Sequence, residues 1–573
     1  MATQSAFQVT GSNSAALFTL KLHRGDGMTL LAMNWKAAQP PKDFVGFAIE
    51  YREPKGDRFF ALKNRIAFTT VDDKLNPNAL STRLSPIQKF RWVHFPRNAE
   101  LDGLFRYRVT PVFMNALDVL SYGNSQEADI ALQRDTYPGK LNVCFTRGFV
   151  SSQAFVDNYE SKGPISTLIP ENGDDGLSFK PTHPLAKDAL AWMGFEARQA
   201  ILDVLDEAIA DKKAQVRVIA YDLNEPDIVT RLEKLKDRLK VIIDDSDKHG
   251  RPNSPESQAA TRLRASAGRG NVKREHMSQL QHNKTIVVDG PTTQAVVCGS
   301  TNYTWRGFFV QANNAIVVRG KKPVQAFSAA FADYWANTTA KDFGKTPSAQ
   351  WSDLGLSGID ARVAFSPHAA SNAMLASIGT DIETKSTSSI LYSLAFLFET
   401  SGAIRDAITK VTEGDDVFVY GISDKKVGGI DLQKPDGNVQ PVSPAELGAH
   451  LPEPFKSEPK GGSGTRMHHK FVVIDFDKPT ARVYMGSYNF SPTADTKNGE
   501  NLLLIKDRRI AVSYMIEALR LFDHYHFRVT QNEAATAVKE LTLKKPPRKA
   551  GEKPWWSESY VNKHKIRDRE LFA

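Results

Sequence analysis

QHNKTIVVDG, residues 281–290, places a histidine two positions before a lysine and an aspartate five positions after it, in a run dominated by valine and isoleucine. The arrangement recurs 186 residues later as MHHKFVVIDF, residues 467–476. In an extended strand successive side chains alternate faces, so His282 and Lys284 share one face and Asn283 takes the other. The same alternation pairs His468 with Lys470 and turns His469 away, as a packing residue. The apolar residues that follow are expected to bury each strand in a sheet, a rigid support for an imidazole and an ammonium. Either copy alone also reads as surface decoration of a strand.

Two copies weigh against decoration, because each is followed by the same short turn. Gly299, Ser300, Thr301 and Asn302 follow the first copy; Gly486, Ser487, Tyr488 and Asn489 follow the second. Glycine allows close backbone approach, and serine and asparagine offer uncharged donors. Lys284, Lys470, Ser300, Ser487, Asn302 and Asn489, if convergent, form a cradle for one phosphate. A phosphodiester is a poor electrophile with a basic leaving group. One neutral imidazole can attack phosphorus while a second, protonated, imidazole donates to the departing oxygen; water then releases the phosphoryl group. This chemistry calls for no metal and no cofactor, and the sequence offers no conspicuous carboxylate cluster to hold a metal.

The surroundings of the two copies also agree in order. NVCF at 142–145 answers RVAF at 362–365, and QANNAIVV at 311–318 answers NGENLLLI at 498–505. Each stretch closes with a helical pattern, KKPVQAFSAAFADYW in one and DRRIAVSYMIEALRLF in the other. VRVIAYD, EPDIVTRLEKLKDR and LKVIIDD together read as a β-α-β unit. Two duplicated α/β halves are therefore expected at 141–337 and 361–535, joined by a connector at 338–360. Residues 1–135 carry short aromatic and β-branched runs, such as GFAIEYREP and GLFRYRVTPVFM, separated by turn residues. They read as an all-β immunoglobulin- or fibronectin-like sandwich, with a structural, positioning or binding role. Residues 539–573 form a basic tail with ten Lys or Arg against five Asp or Glu; Trp555 and Trp556 can anchor it, or its basic residues can meet phosphates.

A chain of 573 residues with 41% hydrophobic content has room for two to four domains. Two cysteines, Cys144 and Cys298, exclude a disulfide framework, and the thirteen histidines form no HExxH zinc pattern. The start shows no signal peptide and no run reaches membrane-spanning length, so a cytoplasmic protein is expected, with signal-less export as the alternative. The net charge of +9 favours polyanionic partners without choosing among them.

The two sets of residues resemble the hallmark of the phospholipase D superfamily, HxKxxxxD followed by GSxN. The resemblance covers about residues 141–535. It implies two phospholipase D-like α/β domains with pseudo-twofold symmetry, and hydrolysis through a covalent phosphohistidine. It also implies a catalytic set of His282, Lys284, Asp289, His468, Lys470 and Asp475, with the two aspartates in structural or electrostatic support. Eleven residues after the motif asparagines stand Asn313 and Glu500. In this family such residues contact the histidine of the opposite half, which puts Glu500 on His282 and Asn313 on His468. A carboxylate fixes a tautomer and stabilises a developing cation, whereas an amide only orients. The asymmetry favours His282 as nucleophile and His468 as general acid, then base. One chain supplies both halves, so a monomer suffices for one composite site.

The substrate is less defined. The basic balance, the likeness of GSYNFSPTADTKNGENLLLI to the bacterial nuclease branch, and Arg251, Arg262, Arg264 and Arg269 lean slightly to nucleic acid. The size and two-copy plan also resemble enzymes that release phospholipid head groups, for which GAHLPEPF, residues 448–455, offers an apolar entrance. A catalytically inactive nucleic-acid-binding or scaffold protein is the remaining reading; both key histidines being present weighs against it.

Overall fold

A computed structural model describes residues 6–68, 80–132, 135–148, 155, 158–337, 339–399, 401–425, 429–442, 467–536 and 541–573. The chain divides into two compact units, residues 1–134 with 515–573, and residues 135–514. The segment 448–455 lies outside the described residues. Among those described, no helix is long and apolar enough to cross a membrane.

The first unit carries two antiparallel sheets. One is ordered Gln8–Thr10, Phe18–Arg24, Thr29–Trp35, Arg91–His94; the other Phe60–Ala61, Phe44–Arg52, Leu104–Met114, Leu120–Tyr122, with Gln126–Ala131 also on the long strand. Alternate residues of both sheets, among them Phe18, Leu20, Phe47, Ile49, Phe105 and Tyr107, share one core. Full burial of such a side chain is worth roughly 1.5–3 kcal/mol. Trp556, 4% exposed, belongs to this core, and Trp555 stacks on Phe90 and donates its indole N–H to the Phe44 carbonyl at 3.0 Å. The basic residues Lys545 and Arg548 pair with Asp118. Residues 515–573 thus group with the start of the chain, and the unit boundary falls inside the helix Arg508–Thr536.

The second unit holds the two histidine–lysine motifs. Its first sheet runs Leu141–Phe145, Asn314–Arg319, Gln294–Gly299, Lys284–Asp289, Gln215–Ala220, Leu239–Ile243, Val272–Arg274. Its second runs Ser352–Asp353, Asp360–Ser366, Glu500–Lys506, Arg482–Gly486, Phe471–Ile474, Ser389–Ala395, Phe418–Asp424, Ile430–Gln433, Val439–Val442. Part of the expected connector therefore joins the second sheet as an edge strand, Ser352 opposite Val363. In each sheet the motif strand is central and antiparallel to both neighbours, and a parallel pair lies beyond it. Ile286, Val287 and Val288, and Phe471 to Ile474, are buried, the continuous apolar pattern of strands covered on both faces.

The motif edges of the two sheets meet through matching backbone contacts. Gln281 bridges Gly499 and Ala312 bridges Met467, both parallel; Gly499 N–H donates to Leu280 O at 2.8 Å and His468 N–H to Ala312 O at 2.9 Å. Asn501 adds a side-chain bond, Nδ2 to Asn283 Oδ1 at 3.0 Å. Each histidine is thus held next to the end of the opposite sheet.

Candidate functional site

His282 and His468 converge, with ring centroids 6.3 Å apart and rings inclined by 73°. Both are largely buried, at 5% and 9% exposure. His282 Nδ1 donates to Glu500 Oε2 at 2.7 Å, across from one sheet to the other. His468 Nδ1 lies 2.8 Å from Asn313 Oδ1 and 3.1 Å from Ser300 O. Asn313 Nδ2 donates to Gly307 O, which orients the amide with its oxygen toward the imidazole. Every partner of the two Nδ1 atoms is an acceptor, so each ring carries its proton on Nδ1 and keeps Nε2 as the lone-pair nitrogen. The contacts expected of Glu500 and Asn313 are present in the geometry.

Lys284 and Lys470 are fully buried beside the rings, each donating to the carbonyl of its own motif histidine, Lys470 Nζ to His468 O at 2.9 Å. Burial pushes the His282 imidazole below its ordinary value; Glu500 opposes this, and Lys284 and Lys470 add to it. Burial, then the two lysines and His282, drive His468 well below the usual range. Burial lowers Lys284 to about 8 against the pull of Glu500, Asp222 and Asp244, and lowers Lys470 strongly, with Lys284 as a further cause. Both imidazoles are thus biased toward their neutral forms, and the lysines beside them are opposed by Glu500, Asp222 and Asp244.

The remaining motif residues separate into groups. Asn302 Nδ2 donates to Asp222 Oδ2 at 2.5 Å. Asn489 lines a small mixed pocket with Leu394, Phe396, Arg405 and Phe490. The hydroxyls of Ser300 and Ser487 are engaged with the next strand. Ser300 donates to Asn313 Oδ1 at 2.9 Å and accepts from Asn314 N at 3.0 Å; Ser487 accepts from Asn501 N at 3.0 Å. These bonds tie each turn to the next strand. The structure does not bring Asp289 and Asp475 to the histidines. Asp289 closes the strand that Lys284 opens, roughly 16 Å further along at the usual rise per residue. The Asp475 carboxylate accepts the backbone N–H groups of Thr387, Ser388 and Ser389, tying down the start of the neighbouring strand. His469 faces away, packed edge-on against Phe145 and Phe471.

Two glycines make the turns possible. Gly299 and Gly486 have φ of +136° and +143°, and a Cβ on Gly299 would lie 2.5 Å from the Asn314 carbonyl oxygen, with the Asn501 carbonyl in the same place at Gly486. Gly299→Ala and Gly486→Ala are each expected to lower stability by about 2–4 kcal/mol, through backbone strain and this clash. Thermal unfolding followed by circular dichroism measures the loss; an unchanged midpoint would contradict it.

Sequence reasoning missed a polar cluster beside His282. Asp222 and Asp244 sit just beyond parallel strands at the edge that carries the site, and His249 lies between them, 2.7 Å from each. The location itself was a signal, because ligands gather at the carboxyl ends of parallel strands. Donor atoms of Asp222, His249 and Glu256 lie within 4.8 Å of one another. Both ring nitrogens of His249 are already committed to carboxylates, so the imidazolium itself supplies the cation there. Of the arginines considered for nucleic acid, Arg262 is taken up by Glu233 in a two-bond pair, while Arg251, Arg264 and Arg269 are exposed.

A family model described as "Cardiolipin synthase, PLD-like domain" matches residues 205–335 and 383–521. A phospholipase D of Rickettsia prowazekii is 46% identical over 48 residues, 8% of this chain and 22% of that protein, so the match spans about a fifth of the relative's length. Among solved structures, phosphatidylserine synthase of Haemophilus influenzae is 13% identical with a TM-score of 0.40, covering 59% of this chain and 90% of that one. Nuc of Salmonella typhimurium, a phospholipase D family member, is 27% identical with a TM-score of 0.20, covering 24% of this chain and 87% of that one.

Proposed function

Because the chain belongs to the phospholipase D superfamily, we propose that it hydrolyses a phosphodiester through a covalent phosphohistidine, with His282 as nucleophile and His468 as general acid, then base. The observation that carries this reading is the crossed pairing, Glu500 on His282 Nδ1 and Asn313 on His468 Nδ1. Glu500 leaves Nε2 of His282 free to attack and stabilises the charge that builds on the ring. Phosphorus gains a bond to that nitrogen and loses its bond to the departing oxygen, which takes a proton from Nε2 of His468. Water then gives its proton back to His468, adds to phosphorus and displaces His282. Lys284, Lys470, Asn302 and Asn489 face the non-bridging oxygens. A bound diester anion offsets the lysine charge that depresses His468 and so draws a proton onto it. No metal takes part in these steps.

The common strand order of the two sheets supports reading them as duplicated halves, each giving one histidine, so that a monomer forms a whole site. The first unit reads as a fibronectin-like accessory module without a chemical role.

Nucleic acid is the first substrate to test, on the net charge of +9 and the exposed Arg251, Arg264 and Arg269. Phospholipid is the second, on the similarity to proteins named phospholipase D. Incubation with single-stranded DNA, duplex DNA, RNA and phosphatidylcholine vesicles in EDTA, with the His282→Ala protein as control, decides between them. Cleavage of nucleic acid abolished by the substitution is the expected result; release of head groups alone would move the assignment to lipid. Wild-type protein that turned over no diester at all would favour the scaffold reading.

A further inference from the structure

Tyr221 and Asp222 follow the strand Gln215–Ala220, and Asp244 follows Leu239–Ile243. His249 connects them: Nε2 lies 2.7 Å from Asp222 Oδ1 and Nδ1 2.7 Å from Asp244 Oδ2. The free oxygen of each carboxylate reaches the site. Asp222 Oδ2 accepts from Asn302 Nδ2 at 2.5 Å, and Asp244 Oδ1 accepts the backbone N–H of Gln281, the residue before His282, at 2.7 Å. Tyr221 makes a third connection, its ring 4.6 Å from those of both His249 and His282, with Lys284 Nζ 4.7 Å from its centroid.

Among the described residues, the second sheet repeats part of this. Asp424 Oδ2 accepts Met467 N–H at 3.3 Å, the counterpart of Asp244 on Gln281. At the strand position that matches Asp222 the second sheet has Phe396, which lines one pocket with Asn489. The Asp222–His249–Asp244 clamp lies in the half that carries His282. Its electrostatics also matter: without a cation between them, Asp222 and Asp244 would turn two negative charges toward a site that receives a phosphate.

We propose that His249 is a positioning residue of the His282 half, its imidazolium fixing Asp222 and Asp244 and, through them, the Asn302 carboxamide, the backbone entering His282 and the potential that an arriving phosphodiester meets. This rests on the reading that His282 and His468 act on a phosphodiester. Burial opposes the charge on His249, but the two aspartates hold it at about 10. The groups facing it are Asp222, Asp244, Glu256, which burial and Asp222 raise to about 7, Tyr221, and Arg274, whose guanidinium donates to the His249 carbonyl at 2.6 Å. Those acting on His282 are Glu500, Lys284 and Lys470.

The test compares wild type, His249→Gln, Asp222→Asn and His282→Ala, first for folding by circular dichroism, then for kcat/KM on bis-p-nitrophenyl phosphate between pH 5 and 9. Outer-shell partners of this kind are worth roughly 10–100-fold, and a loss of about 30-fold is expected in both clamp variants. Their pH profiles should separate. Removing a positive charge stabilises protonated His282 and moves the acidic limb to higher pH; removing a negative charge moves it to lower pH. A merely structural role would slow both without opposite displacements. NMR of histidine-labelled protein provides a readout independent of turnover: one imidazole, absent from His249→Gln, should stay protonated through pH 9. If the His249 resonance titrates near the ordinary histidine value, or if both clamp variants keep wild-type kinetics and limbs while His282→Ala is dead, the inference is overturned. A wild type without diesterase activity, or a fully active His282→Ala, overturns the phosphodiesterase reading instead, and the NMR result still decides the clamp. Should His249→Gln fail to fold, Asp222→Asn and the wild-type NMR carry the test.

Discussion

His282→Ala is expected to form no phosphoryl adduct and to lose roughly 10⁴-fold or more in turnover, the scale seen when a covalent nucleophile is removed. His468→Asn should behave differently with an activated leaving group. p-Nitrophenolate needs little protonation, so a first turnover should occur and stop at the adduct, seen as a burst without a steady state. Rapid quench followed by mass spectrometry of the histidine peptides reads both results. An adduct on His468 that persists in the His282→Ala protein would reverse the roles. The pH dependence has a definite sign as well. Burial lowers His282 below its ordinary value, so the acidic limb, where the ring becomes protonated and activity falls, should lie on the acid side of that of a free imidazole.

Glu500→Gln should lower kcat by about 10²–10⁴-fold, the range expected when a carboxylate on the far nitrogen of a catalytic imidazole becomes an amide. The replacement keeps the shape but removes the charge that balances the cation formed on His282. Asn313→Asp is the informative counterpart, since it adds a charge beside His468 and should hold that ring protonated to higher pH. Steady-state rates and adduct formation, measured over pH in both variants, distinguish the two positions. Equal effects of Glu500→Gln and Asn313→Ala would argue against unequal jobs for the histidines.

Much of the site is legible in the chain because its chemistry is written twice on buried strands. Period-two alternation separates His468 from His469, and an eleven-residue offset from Asn302 and Asn489 reaches Asn313 and Glu500. The aromatic runs of the first 135 residues indicate strands because β-branched and aromatic side chains suit a half-buried pleat. Other parts are hidden for physical reasons. Asp222, Asp244 and His249 come together at the ends of adjacent parallel strands, in segments that follow no periodicity. The serines of the two GSxN turns look the same whether they bind a ligand or tie a turn, and only the positions of Asn314 and Asn501 show the second use. The boundary at Met515 lies within one continuous helix, where composition does not change.

The discontinuity of the first unit bears on how the chain emerges from the ribosome. Phe18 and Phe47 are made early, yet Trp556, which shares their core, is made after the entire histidine-bearing unit. Of these two units, the one that contains Phe18 is therefore completed after the other. Its aromatic interior takes in a residue supplied only after residues 135–514 have been made, so the vectorial order of synthesis leaves that core open until the returning segment arrives.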